Sequence, residues 1–207
     1  MERQEKNRLG VKRGTVKLVP HQKEWSQNAE AVIRLLKQLL GGAAFDIQHV
    51  GSTAIPSIHA KPILDIAVAV YQLSDISAYA EVLKQHQFIF RGEAVAGEVL
   101  YVMEHGDIRT HHIHIVKWNG TEWNHYLNFR DYLNAFPEKA RLYDACKQQL
   151  AAQFPNDRKS YTAGKEEMIQ RLLAEADFWK SESAGGKAGL KAQRRDLSGR
   201  EKIDAGE

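Results

Sequence analysis

The chain is poor in cysteine, in long apolar runs and in net charge, and each shortage excludes something. Its 207 residues contain one cysteine, Cys146, so no internal disulfide can form, and a reducing, cytoplasmic setting is the expectation. No apolar run reaches the roughly 18–20 residues that a membrane helix needs, so no membrane partner is expected. The opening Met1–Gly14 is charged rather than apolar and does not read as a signal peptide. The net charge of +3 sits in the ends. Residues 1–14 hold five Lys/Arg against two Glu, and residues 181–207 hold six against five acidic residues. That leaves eighteen basic and nineteen acidic residues between them, a neutral body that argues against nucleic-acid binding, which needs a basic face.

What is present fits one α/β (α+β) domain with tails: 43% hydrophobic and 27% charged residues over a length able to bury a core. Residues 1–14 lack apolar periodicity and read as a flexible arm. Residues 15–180 read as the domain. Residues 181–207 have no aromatic residue and many Gly, Ser and charged residues, so a disordered tail is expected. Within the domain, Thr15–Pro20 alternates like a short edge strand. Trp25–Leu40 has apolar residues at 3–4 spacing and ends at Gly41-Gly42, the pattern of an amphipathic helix. Strands are expected at Phe45–Val50, Ile63–Val70, Phe88–Arg91, Val99–Met103 and Thr110–Trp118, with His105-Gly106-Asp107 as a turn. A helix is expected over Ser74–Gln87, capped by Ser74. Three more are expected at Trp123–Phe136, Glu138–Phe154 and Tyr161–Trp179, forming a C-terminal helical part.

The chemistry concentrates in His49–Val70, HVGSTAIPSIHAKPILDIAVAV. A strand ends in Gly51-Ser52, a loop follows, and the next strand carries one carboxylate among apolar residues. Gly51 permits a sharp turn and close backbone approach to a ligand. Ser52 and Thr53 add hydroxyls and N–H donors suited to phosphate oxygens, and Lys61 is a mobile cation on the same loop. Period two places Asp65, Ala67 and Ala69 on one strand face. An ionised carboxylate there is costly unless paired or metal-bound, so Asp65 marks a site. The bland alternative is that Asp65 bonds backbone or pairs with Lys61.

A second pattern lies in RTHHIHIV, Arg109–Val116. Alternation puts His112 and His114 on one face and Ile113 and Ile115 on the other. With Asp65, the two imidazoles make a His/His/carboxylate set suited to zinc or manganese, or to acid–base work. They are equally readable as half-buried strand residues bonded to neighbours. Arg109 and Arg130 are candidate anion-binding cations, with a surface ion pair and inter-helix packing as their respective alternatives. Arg158, Tyr161 and Lys165, at spacings of three and four, read either as an anion-binding face or as a solvated one. No Cys/His zinc pattern, Walker loop or Ser-His-Asp arrangement competes.

These segments, together with NFRDYL (Asn128–Leu133), Tyr143…Lys147 and Arg158…Tyr161…Lys165, resemble the GrpB family from about Val16 to Trp179. That family usually has Gly where this chain has Ser57. The resemblance implies a nucleotidyltransferase-like mixed β-sheet with helices packed on it. In the wider superfamily a Gly-Ser turn holds phosphates. Two carboxylates, one residue apart on the next strand, and a third on a later strand hold divalent metals. Gly51-Ser52 matches the turn and Asp65 the first carboxylate, but Ala67 stands at the second position. The resemblance also brings the observation that GrpB-like domains occur fused to dephospho-CoA kinase.

Three functional expectations follow. The first is a nucleotidyltransferase-type protein that binds a small nucleotide or phosphorylated metabolite and transfers a nucleotidyl or phosphoryl group. It would use a divalent metal (Mg or Mn, or Zn), with Asp65, His112 and His114 as catalytic and metal residues. Gly51, Ser52, Thr53, Lys61, Arg109 and Arg130 would bind phosphate. The second is a non-catalytic binding or accessory domain, which Ala67 favours. The third is a single-metal hydrolase built on Asp65, His112 and His114.

Overall fold

The computed structural model describes residues 9–200. Its elements in chain order are β1 (Val11–Lys12), α1 (Glu24–Leu40), β2 (Ala44–Val50), β3 (Leu64–Val70), α2 (Ala80–Gln85) and β4 (Ile89–Val95). There follow β5 (Glu98–His105), β6 (Ile108–Lys117), α3 (Thr121–Ala135), α4 (Pro137–Gln153), α5 (Arg158–Gly164) and α6 (Glu166–Arg200). The sheet order is β2-β3-β6-β5-β4, with β1 added beside β6. β3 and β6 run parallel and the other pairs antiparallel, so the sheet is mixed.

β3 lies inside the sheet, which explains its nearly continuous apolar run. Leu64, Ile66, Val68 and Val70 pack with Ile113, Ile115 and α1 residues such as Trp25 and Leu36 in the main core. The opposite face of β3 offers Ala67 and Ala69, which pack with Val50, Val116 and Trp123 of α3. A third cluster joins the Ile55–Ile58 loop to α3, α4 and α6 through Tyr132, Leu133, Ala140 and Leu172. Asp65 thus sits at the N-terminal end of β3, on the face that the C-terminal helices cover. No helix among the described residues is long and apolar enough to cross a membrane.

Several expectations change. Thr15–Pro20 is not a strand. Its alternation finds no partner strand: Val16 N–H bonds the Pro155 carbonyl, and Val19 alone bridges Ala60. The end of the expected arm is docked rather than loose, since Gly10 N–H bonds the Pro62 carbonyl and buried Val11 pairs with Arg109. Residues 1–8 lie outside the described residues. The Ser74–Gln87 segment opens as a 3-10 helix, Leu73–Tyr79, and becomes α-helical at Ala80. Ser74 makes no side-chain cap; its carbonyl accepts from Ser77 Oγ, the local competition by which serine disfavours regular helix. The expected Tyr161–Trp179 helix starts earlier and breaks at Lys165, giving α5 and α6. Gly164 lets α5 lie against α4, because a Cβ there would come 2.5 Å from Leu150 Cδ2. α6 runs from Glu166 to Arg200. Residues 201–207 lie outside the described residues.

Candidate functional site

The site forms where β2 ends. Val50 pairs with Asp65 across β2 and β3, and Asp65 pairs with His112 across β3 and β6. After Val50 the chain turns at Gly51 (φ +69°) into a short 3-10 turn, Ser52–Ala54. Period-two alternation puts Asp65, His112 and His114 on the same face, over a cavity of about 680 Å³ whose lining includes Ser52, Lys61, Asp65, His114, Lys147 and Lys165.

At the centre, His112 Nδ1 and Asp65 Oδ1 are 2.9 Å apart, and His114 Nε2 lies 3.3 Å from the same oxygen. His114 Nδ1 lies 2.8 Å from Glu98 Oε1, and the Tyr126 hydroxyl donates to Glu98 Oε2 at 2.6 Å. A carboxylate only accepts, so each imidazole nitrogen facing one must donate. Burial works to raise the Asp65 carboxyl, but together the His112 and His114 hydrogen bonds and charges hold it well below the usual carboxylate range. Burial pushes His112 down despite Asp65, whereas the bonds to Asp65 and Glu98 overcome burial and push His114 up to about 9. At neutral pH, His114 is therefore an imidazolium clamped between two carboxylates. His112 is a neutral ring with Nδ1–H on Asp65 and Nε2 left as a lone pair. Asp65 keeps 27% side-chain exposure, so it is paired without being sealed.

The donor set suits a metal. One ligand atom from each of Asp65, His112 and His114 falls within a 4.8 Å group. The nitrogens of His112 and His114 that face Asp65 now donate protons to it, and a metal bound there would have to displace them. Glu98 on the far ring nitrogen of His114 is the kind of outer carboxylate that orients a metal-binding imidazole. Ala67 adds nothing: it is 0% exposed and packed in the core beneath Trp123.

Beside this centre are four cations, Lys61, Lys147, Arg158 and Lys165. Lys147 is 1% exposed; its Nζ donates to the His59 carbonyl, reaches Ser52 Oγ at 3.5 Å and lies 3.6 Å from Asp144 Oδ1. Burial, countered in part by Asp144, pushes Lys147 down to about 8. Burial, then the charges of Lys165 and Arg158, push Lys61 down to about 7. Lys165 and Arg158 are also lowered, first by burial. The ammonium groups of Lys61 and Lys165 sit 5.4 and 4.7 Å from the centre of the same ring, Tyr161. Positive charge crowded into a partly desolvated cavity makes its potential attractive to an anion.

The expected site residues divide accordingly. Gly51, Ser52, Thr53, Lys61, Asp65, His112 and His114 share the cavity. Thr53 Oγ1 is engaged with His49 Nε2 at 2.9 Å, and Lys61 is half-buried on Tyr161 rather than mobile. Arg109 and Arg130 lie elsewhere. Arg109 bonds Glu104 at 2.9 Å, and Arg130 bonds Asp131, Gln48 and the His49 carbonyl, supporting the end of β2 from behind. In each case a nearby carboxylate claims the guanidinium. Glu98 and Tyr126 carry no site signal in the sequence, and Lys147 stands out there only as part of the family-like Tyr143…Lys147 segment. Arg158 and Lys165 carried a signal in their three-and-four spacing, and they face the cavity rather than solvent.

Comparison with known proteins matches the model of the GrpB protein family over residues 15–175. Glutamate-rich protein GrpB of Alkalihalophilus pseudofirmus is 38% identical over 172 residues, covering 81% of this chain and 99% of that protein. The crystal structure of conserved protein GrpB from Enterococcus faecalis overlays with a TM-score of 0.73 at 29% identity, covering 79% of this chain and 99% of that one. A dephospho-CoA kinase of Mycolicibacterium paratuberculosis is 28% identical over 204 residues, covering 86% of this chain but 49% of that protein.

Proposed function

The chain belongs to the GrpB family, and on that premise we propose that it binds a small phosphorylated ligand, a nucleotide or phosphorylated metabolite, and transfers a nucleotidyl or phosphoryl group with a divalent metal. One observation carries the reading: four cations and the Ser52 turn share a cavity with the Asp65, His112 and His114 donor set. Ser52, Lys147, Arg158, Lys61 and Lys165 would hold phosphate oxygens. Asp65, His114 and His112 would hold the metal, which supplies charge neutralisation on a phosphate and polarises its phosphorus centre. A neutral His112 with Nδ1–H on Asp65 leaves Nε2 as the lone pair that the metal would take up. Asp65 orients that ring, and Glu98 with Tyr126 orients His114.

Isothermal titration with ATP and CTP, each with Mg²⁺ or Mn²⁺, tests this. The expected result is saturable binding, weakened at least about tenfold in Arg158→Met or Lys165→Met, the loss of one charged hydrogen bond. No binding of either nucleotide, or of inorganic phosphate, to the wild-type chain overturns it.

A second reading keeps the pocket and drops the chemistry: an accessory domain that binds a phosphorylated ligand for a partner enzyme. Ala67 at the second carboxylate position favours it, as does the likeness to half of a dephospho-CoA kinase. Retained nucleotide binding without turnover, unchanged by Asp65→Ala, decides for it.

A further inference from the structure

Two hydroxyls stand on the turn that follows β2, and they are used differently. Thr53 Oγ1 is held by His49 Nε2 at 2.9 Å. Ser52 lines the cavity, and its Oγ meets Lys147 Nζ at 3.5 Å. Lys147 follows Tyr143 by four residues on α4, so the two share one buried face of that helix. The Tyr143 hydroxyl also hydrogen-bonds with Ser52, and burial, pushing it up to about 12, keeps it a phenol. On the other side the Gly51 backbone lies against Asp65 with no room for a Cβ. Ser52 is therefore fixed between a strand end and a helix face.

Lys147 is placed to do more than attract. Nζ donates to the His59 carbonyl, lies 3.6 Å from Asp144 Oδ1 and sits 4.8 Å from the centre of the Tyr143 ring. Burial pushes it down to about 8, so the neutral amine is within reach near neutral pH. A neutral amine keeps two N–H groups, enough for the His59 carbonyl and Asp144, and gains a lone pair for the Ser52 hydroxyl. A serine hydroxyl beside a lysine amine is a nucleophile with its base, and such contacts tighten when substrate binds. The imidazoles of the neighbouring centre are committed to Asp65 and Glu98. Lys61, Arg158 and Lys165 line the same cavity and match an electrophile that carries negative charge, a phosphoryl group rather than a neutral ester.

We propose that Ser52 is a catalytic nucleophile, activated by Lys147, that carries the transferred phosphoryl group as a phosphoserine between donor and acceptor. The inference rests on the phosphorylated-ligand reading above and adds a covalent intermediate to it. In the first step neutral Lys147 takes the Ser52 Oγ proton and the Oγ–P bond forms. The bond from phosphorus to the leaving oxygen breaks, that oxygen keeps the electron pair, and Lys147 passes the proton to it or to solvent. In the second step the acceptor hydroxyl gives its proton to Lys147 and attacks phosphorus. The Oγ–P bond breaks, and Ser52 Oγ takes the proton back.

Acetyl phosphate tests it, because it offers one phosphorus and one carbonyl to the same serine. The full chain is incubated with acetyl phosphate and Mg²⁺ and quenched in acid, which spares phosphoserine and destroys phosphohistidine. Peptide mass spectrometry then reads the label. A phosphoryl group on Ser52 is expected, absent in Ser52→Ala and formed at least about a hundredfold more slowly in Lys147→Met, the loss of a general base. Lys147→Arg keeps the charge but cannot accept the proton, so it should lose labelling in the same way. Titration of the wild-type chain with inorganic phosphate runs alongside. Phosphate binding without a label on Ser52 overturns this inference alone. An acetyl group on Ser52, or labelling that persists in Lys147→Arg, also overturns it. So does labelling of Thr53 as readily as Ser52 in the wild-type chain, a comparison that needs no Lys147 variant to fold. If inorganic phosphate does not bind, the phosphorylated-ligand reading fails and this one with it.

Discussion

Gly51 and Asp65 are packed against each other so closely that the turn and the carboxylate fix one another. A Cβ at position 51 would come 2.5 Å from Asp65 Oδ2 and 2.9 Å from Asp65 Cβ. The Gly51 backbone, at φ +69° and ψ −170°, is open to glycine and closed to other residues. The bend that presents Ser52 therefore exists only because residue 51 has no side chain.

Gly51→Ala is expected to do two kinds of damage. The backbone strain should lower stability by about 1–3 kcal/mol, read by urea unfolding. The displaced Asp65 should lose His112 or His114, so Mn²⁺ or Zn²⁺ affinity should fall at least about tenfold, as for disturbed supporting shells of metal sites. A variant with wild-type stability and metal affinity would show that the contact is unimportant.

His114 offers a titration with a definite sign. Its pKa is raised to about 9, against 6.5 for an ordinary histidine, because the bonds to Asp65 and Glu98 overcome burial. A base held protonated by the fold contributes stability in full below about pH 6.5 and loses it as the pH rises through about 9. The advantage of wild type over His114→Gln in urea unfolding should thus be larger at pH 6 than at pH 9.5, by on the order of 2 kcal/mol. Ring NMR should show His114 protonated at pH 8, while His49 and His111, pushed down to about 4 chiefly by burial, are neutral at pH 6. A pH-independent difference refutes the clamp.

The centre of the site was legible because strand alternation is a local property: once β3 and β6 are read with period two, Asp65, His112 and His114 must share a face. That β3 and β6 are neighbours in the sheet was not local, and only the parallel pairing brings the three together. The cations were harder. Lys147 stands in a polar helical stretch, CKQQ, that reads as solvent-facing, yet it is buried because α4 packs on the Ser52 turn. Arg109 and Arg130 misled in the opposite sense, since Glu104 and Asp131 lie closer to them than any ligand site. Thr15–Pro20 alternates without a partner, and a strand is a relation between two segments.

Lys61 should reveal the repulsion among the crowded cations. Burial and the charges of Lys165 and Arg158 push it down to about 7 from 10.5. Between those values the unfolded chain holds a proton that the folded protein releases, so this group raises stability as pH climbs from 7 to 10.5 and costs most below 7. Lys61→Met is therefore expected to be more stable than wild type at pH 6, by on the order of 1–3 kcal/mol. The gain should shrink towards pH 10.5, and phosphate binding should weaken. A variant less stable than wild type at pH 6 would mean that Lys61 is paired rather than crowded.

Asp144 holds the buried end of the cation group. It accepts from the His59 backbone N–H at 2.7 Å, from His59 Nδ1 at 2.8 Å and from Gln148 Nε2 at 2.8 Å, and lies 3.6 Å from Lys147 Nζ. Removing one partner of a buried ion pair typically costs about 3–5 kcal/mol, because the other charge is left without compensation. Asp144→Ala should fall in that range, whereas Asp144→Ala with Lys147→Met should cost less than the two single changes together, with a coupling of about 1–3 kcal/mol. The cycle separates two ways of holding Lys147. Strong coupling means that Asp144 supplies the charge that lets an ammonium sit buried beside Ser52. Additivity within about 0.5 kcal/mol means that the His59 carbonyl and Ser52 suffice, and that Asp144 serves to close the His59 loop onto α4.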